Sequence, residues 1–197
     1  TGSEYYKITS GNKEIELKIP LSDGEYDELK KRYFSGAEKV IKKDEYFSRY
    51  DTLEERIKNN EPKVIRIRTE GEEVYLTIKR KSIKNGIEVN EEKESLITNP
   101  EVLYDFLSLS GYHRWFNKEK EAYGYFYKSE SYSKLSFHME LVTVNGMKYL
   151  EVEVTDTLDY TEAEVTKALE DVIKETGLDP SKKDERSWYE LICLNSD

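Results

Sequence analysis

Residues 14–18 alternate without interruption: Glu14, Glu16 and Lys18 have one parity, Ile15, Leu17 and Ile19 the other. Side chains of a β-strand point to opposite faces in turn, so this segment puts charge on one sheet face and aliphatic surface on the other. A single strand of this kind fits any half-buried antiparallel sheet with its charges in water. The pattern constrains the fold because it recurs. Arg66 and Arg68 alternate with Ile65 and Ile67, and Lys79 and Lys81 share parity with Tyr75 and Thr77. Glu88, Asn90, Glu92 and Glu94 share one parity, Lys118 and Lys120 another, and Glu151 and Glu153 alternate with Val152 and Val154. A solvated face accounts for any one of these strands. Successive strands that confine apolar residues to one side fit a closed antiparallel barrel with a polar interior better.

Turn and cap signals set the order of elements. Residues 13–19 read as the first strand, ended by Pro20, and Ser22 or Asp23 opens a helix over 22–35. Residues 37–50 read as a strand, straight or bent, and 51–60 as a polar connection. Glu70-Gly71-Glu72 separates strands 64–68 and 74–81, and Asn85-Gly86 joins the latter to 87–97 as a hairpin. Asn99-Pro100 starts a helix over 99–110 with an apolar stripe of Val102, Leu103, Phe106, Leu107 and Leu109. Strands occupy 112–155, with a second hairpin turn at Asn145-Gly146. Thr161 and Glu164 form a capping-box pattern for a helix over 161–176, and 187–194 reads as a short terminal helix. Thr1-Gly2-Ser3 looks like an added remnant, and residues 1–12 carry weak signals and read as flexible. The expected fold is one α+β domain over 1–197: an antiparallel barrel of about eight strands enclosing a polar tunnel, with the helices packed outside.

Composition narrows the chemistry. Cys193 is the only cysteine, and His113 and His138 are the only histidines, so an intramolecular disulfide, a cysteine zinc site and a multi-histidine centre are excluded. A metal here would take oxygen ligands, as magnesium, manganese and calcium do. The net charge of −10 disfavours broad nucleic-acid binding, although a local basic interior is compatible with it. No apolar run long enough to span a membrane and no signal pattern occur, which leads to the expectation of a soluble, cytoplasmic protein. Lysines and arginines lining a tunnel can hold a chain of phosphates through charge-assisted contacts. Glutamates beside them can hold a hard cation that bridges phosphate oxygens. So many interior charges require a wet tunnel and partners to complete their neutralisation.

These residues resemble the CYTH superfamily, the triphosphate tunnel metalloenzymes, which include class IV adenylyl cyclases, thiamine triphosphatases and inorganic triphosphatases. Glu14-Ile-Glu16-Leu-Lys18 is similar to the family's E-x-E-x-K. Further landmarks follow in order across nearly the whole chain: Asp44-Glu-Tyr46-Phe47, Ile65-Arg66-Ile67-Arg68, Leu76-Thr77-Ile78-Lys79, Lys118-Glu-Lys120, Leu150-Glu151-Val152-Glu153 and Ser187-Trp188-Tyr189-Glu190-Leu191. Three positions depart from the pattern. Lys120 stands for an arginine, Asn90 for an arginine ahead of Glu92 and Glu94, and Glu140 for an aspartate.

The resemblance implies that Glu14, Glu16, Glu151 and Glu153, with Glu140, bind Mg²⁺ or Mn²⁺. It implies that Lys18, Arg66, Arg68, Lys79 and Lys120, with Lys81 and Lys118, hold a triphosphate, and that Glu92 and Glu94 line the tunnel. Glu14, Glu16, Lys18, Glu151 and Glu153 would form the catalytic set. The implied activity is metal-dependent hydrolysis of inorganic tripolyphosphate, thiamine triphosphate or a nucleoside triphosphate. The alternatives are cyclisation of ATP to cyclic AMP and pyrophosphate, an RNA 5′-triphosphatase, and a non-enzymatic polyphosphate- or nucleotide-binding module. The expected partner is a small triphosphate, and the expected state is a monomer or homodimer away from membranes. His138 shares the parity of Glu140 but is expected to be structural, and His113 and Cys193 to be packing residues. The tyrosine-rich stretch 123–132 is expected to pack between strands rather than to stack a ligand ring.

Overall fold

The computed structural model describes residues 13–59, 61, 63–155, 157 and 159–194, so the expectations for residues 1–12 fall outside the described residues. Eight strands form a closed barrel: β1 (Lys13–Pro20), β2 (Val40–Ser48), β3 (Lys63–Glu70), β4 (Glu73–Lys84), β5 (Ile87–Leu96), β6 (His113–Tyr127), β7 (Phe137–Val144) and β8 (Met147–Val154). Their order around the barrel is β1-β5-β4-β3-β2-β6-β7-β8, with β8 returning to β1, and every pair is antiparallel. Both Asn-Gly turns are confirmed: Asn85 and Gly86 have φ of 54° and 76°, Asn145 and Gly146 of 49° and 78°. Left-handed backbone at both central residues matches the twist of the flanking strands, and asparagine and glycine tolerate it.

The register confirms the parity argument. Glu16 lies opposite Glu88 on one side and Glu153 on the other, Lys18 opposite Glu151, Lys79 opposite Glu92, and Asp44 between Arg68 and Lys118. The other parity faces outward under helices. Ile15, Leu17, Ile19, Met139, Leu141, Leu150 and Val152 are buried against α1 (Asp23–Tyr33) and α4 (Glu162–Glu175). From α4 come Val165, Ala168, Leu169, Val172 and Ile173, all with no exposed surface. Each large aliphatic side chain of this kind contributes about 1.5–3 kcal/mol on burial, so this seam fixes the barrel from outside.

Three local readings change. Residues 51–60 contain a helix, α2 (Leu53–Lys58), opened by a capping box in which Thr52 and Glu55 satisfy each other's backbone N–H. Helix α3 (Pro100–Leu109) buries Leu107 beside Phe47 and Ile67, but Val102, Phe106 and Leu109 of the expected stripe are exposed. The terminal helix is a single wide turn over Glu190–Leu194; its Leu191 packs on Ala122, Val142 and Tyr149, while Cys193 is exposed rather than packed.

Candidate active site

The lumen is a cavity of about 520 Å³. All residues expected at the site line it: Glu14, Glu16, Lys18, Arg66, Arg68, Lys79, Lys81, Glu92, Glu94, Lys118, Lys120, Glu140, Glu151 and Glu153. Strand alternation places them there, since each has the inward parity of its strand.

The basic wall has an internal anchor. Asp44, with no side-chain exposure, accepts from Arg68 Nε at 2.6 Å and Nη2 at 2.8 Å, and from Lys118 Nζ at 2.6 Å. Burial by itself pushes this carboxyl up, but the Arg68 hydrogen bonds and the Lys118 charge hold it well below the usual range. Lys118 also donates to the Tyr46 hydroxyl at 2.6 Å. Burial raises that phenol, the Lys118, Arg66 and Arg68 charges together outweigh it, and Tyr46 falls to about 8. Burial lowers Lys118 itself. Arg66 is less occupied. Its Nη2 donates to Thr77 Oγ1 at 3.2 Å and stands 3.7 Å from Glu94 and 3.9 Å from Glu92, while its buried Nε has no hydrogen-bond partner. Lys79 is 3.6 Å from Glu92; burial depresses it, but Glu16 and Glu88 raise it further, so it stays charged.

The acidic wall is built from opposed carboxylates. Glu14 shares a hydrogen bond with Glu92, and burial with that contact pushes Glu14 up to about 8. Glu16 is driven well above the carboxylate range by burial and by Glu88 across the β1–β5 pair. Burial would raise Glu88 as well, yet Lys81 at 2.9 Å and Lys79 keep it ionised. Like charges held this close retain one proton per pair. The later glutamates have cationic partners instead. Lys120 lies 3.0 Å from Glu151, Lys42 donates to Glu140 at 2.8 Å, and His138 Nδ1 is 3.3 Å from Glu153. Glu140 is held down at about 2, burial being overridden by Lys120 and Lys42, and the Glu153 hydrogen bond raises His138. Among the described residues no three carboxylate, imidazole or thiolate groups converge as a ready-made cation cage. What the donor set offers a hard cation is the Glu14 and Glu16 pairs, where a divalent ion can replace a shared proton.

The C-terminal segment lines the cavity through Asp184, Glu185 and Ser187 to Glu190. Lys18 Nζ donates to the carbonyls of Asp184, at 3.1 Å, and Arg186, and lies 5.8 Å from the Trp188 ring centroid. Burial lowers its pKa. Tyr149 donates to Asp184 at 2.8 Å, so the segment is tied to β8 as well as to β1.

Sequence reasoning did not assign Lys42, Asp44, Tyr46, Arg56, Glu88, Trp115, Phe116, His138 and Asp184 to the site, yet they line the cavity or hold its walls. Inward parity was available for Lys42, Tyr46, Glu88 and His138. His138 faces the lumen with the parity of Glu140, and Gly124 on β6 leaves its ring room: a Cβ there would sit 3.3 Å from Nε2. His113 pairs with Asp51 at 3.1 Å and takes no part in the lumen.

A CYTH domain model matches residues 12–188. The chain belongs to the CYTH domain family. Members of this family are enzymes of triphosphatase or adenylyl cyclase type and are generally dependent on divalent metal. Among solved structures, a Pyrococcus horikoshii protein is 22% identical, with 91% of this chain and 99% of that one covered and a TM-score of 0.66. A candidate adenylate cyclase from Vibrio parahaemolyticus is 16% identical over 93% and 99% of the two chains, with a TM-score of 0.69. A Hippeastrum protein, a candidate adenylyl cyclase with a dominant triphosphatase activity, is 18% identical over 91% and 94%, with a TM-score of 0.61. At these identities the likeness bears on the fold. A comparison with curated proteins returned no match. Among the described residues no helix is long and apolar enough to cross a membrane.

Proposed function

We propose that this CYTH protein hydrolyses a triphosphate inside the barrel and releases phosphate. The observation that carries the reading is the buried Arg66 Nε, which has no acceptor in a cavity lined by Lys79, Lys118 and Lys120. A buried guanidinium N–H without a partner is costly, and a phosphate oxygen is the acceptor that fits its fork. Lys18, Arg66, Arg68, Lys79, Lys81, Lys118 and Lys120 would then bind and orient the phosphate chain. Glu14 and Glu16, with Glu151, Glu153 and Glu140, would hold Mg²⁺ or Mn²⁺. The ion would supply charge neutralisation at the phosphoryl oxygens. Phosphoryl transfer depends mostly on positioning and electrostatics, so no covalent nucleophile is required of this chain. Glu92 and Glu94 would hold Arg66 and Lys79 in place, and ligand binding would draw Lys120 and Lys42 from their glutamate partners toward phosphate.

Purified protein given tripolyphosphate, thiamine triphosphate, ATP and 5′-triphosphorylated RNA with Mg²⁺ or Mn²⁺ should release orthophosphate from at least one. Absence of both turnover and binding with all four would overturn the proposal. Binding without turnover would point to a module with the fold but not the chemistry.

A further inference from the structure

Trp115 stands at a break in strand parity. β6 pairs with β2 as Tyr46 opposite Phe116 and then Phe47 opposite Arg114, which leaves Trp115 facing no residue. A bulge of this kind bends a strand and re-aims a side chain. Here it brings two sequence neighbours, Trp115 and Phe116, to the same cavity. With Tyr46 and Tyr189 they form a continuous aromatic wall. Ring centroids are 5.4 Å apart for Tyr46–Phe116, 5.7 Å for Trp115–Phe116, 4.8 Å for Trp115–Tyr189 and 5.4 Å for Phe116–Tyr189. All four rings are only partly buried and line the cavity beside its charged residues, with Leu53 and Val64 also in the lining. The wall runs into the cationic row, because Phe116, Lys118 and Lys120 share one parity on β6, spaced about 7 Å per pair of residues.

The charge on this wall is also defined. The Arg56 guanidinium lies 3.9 Å from the Trp115 ring centroid, and its Nε donates to Glu61 at 2.7 Å. The cation position over the indole is therefore already filled, and Glu61 is engaged in filling it. A second cation would meet Arg56 and Lys118. An uncharged planar ring meets aromatic surface and a guanidinium plane without adding a charge.

Resting on the reading of the tunnel as a triphosphate site, we infer that this wall is the subsite for an uncharged heteroaromatic ring. The substrate is then a nucleoside triphosphate, in preference to a bare polyphosphate or an ester carrying a cationic ring. Trp115 and Trp188 are the two tryptophans, so Trp188→Phe leaves one indole reporter at the wall. In that variant, with Mg²⁺, a non-hydrolysable ATP analogue should quench Trp115 fluorescence and bind about tenfold tighter than tripolyphosphate, at the low end of base–aromatic stacking. Thiamine triphosphate should bind no tighter than tripolyphosphate. By calorimetry, Trp115→Ala in the otherwise native chain should abolish the nucleotide preference and leave tripolyphosphate affinity within about twofold, since stacking alone is removed. Tyr189→Ala, on a different element, carries the same expectation and decides the matter should Trp115→Ala misfold. Equal affinity for nucleotide and tripolyphosphate would overturn the inference alone, as would parallel loss of both in the variants. Failure of every ligand to bind would remove the tunnel reading along with it.

Discussion

Replacing Asp44 by asparagine separates the structural from the ligand-binding role of the tunnel's cations. The Asp44 carboxylate is wholly buried and takes three charge-assisted hydrogen bonds of 2.6–2.8 Å from Arg68 and Lys118. An asparagine side chain at this position would keep the volume, lose the charge and leave two cations facing each other. Removing one member of a buried ion pair costs about 3–5 kcal/mol. For a chain of this size that corresponds to a Tm lower by roughly 6–20 °C. A polyanion in the tunnel would return the missing negative charge, so saturating tripolyphosphate should raise the Tm of Asp44→Asn by more than that of the wild type. The folded-state pKa of Asp44 is depressed. Its stabilisation is therefore complete above the ordinary carboxylate range and is lost as pH falls through that range toward the folded value. Acidification from about pH 5 should destabilise the wild type more steeply than the variant. Calorimetric melts of both proteins, with and without tripolyphosphate and across that pH range, test all three points. An Asp44→Asn protein as stable as the wild type, with no larger response to ligand, would show that Asp44 does not anchor the basic wall.

Further expectations follow from the same geometry. Glu16→Ala should lower kcat at saturating metal by at least about tenfold, the loss of one strong electrostatic contact; full activity in steady-state assays would count against the acidic wall. Arg66→Ala should raise KM for the triphosphate by about tenfold, whereas Arg68→Ala should raise it less, because the Arg68 fork is closed on Asp44. Equal effects, or the reverse order, would show that the unpartnered Nε is not a phosphate donor. Glu14 has a folded value of about 8 against an ordinary 4.5, so the stability it contributes is full below the ordinary value and is lost as pH rises from there to about 8. In chelator, melts should weaken across that window in the wild type and less so in Glu14→Gln; identical profiles would contradict the carboxylate pairing.

Much of the barrel is legible in the sequence because one rule, alternation, acts on every strand. Glu14, Glu16 and Lys18 opposite Ile15, Leu17 and Ile19 show which side is inside, and the register then brings Glu16 against Glu88 and Glu153. Partner choice is not legible. Nothing local in Asp44 shows that it closes the Arg68 fork, because the two are adjacent only through the β2–β3 pairing. Trp115 escapes for a different reason: a bulge breaks the very period on which the reading rests. Arg56 sits in a segment that reads as a polar connection, although the Thr52-x-x-Glu55 pattern marks a helix start. The exposure of Val102, Phe106 and Leu109 shows the limit of stripe reasoning, since a helical apolar face says nothing about whether a surface lies beneath all of it.

In the proposed reaction, water attacks the terminal phosphorus of a triphosphate held by the basic wall. Turnover in oxygen-18 water, followed by phosphorus NMR, tests it most directly. Hydrolysis in the tunnel predicts label in the released orthophosphate. Unlabelled pyrophosphate appearing with a cyclic nucleotide would contradict it and assign the same walls to intramolecular cyclisation.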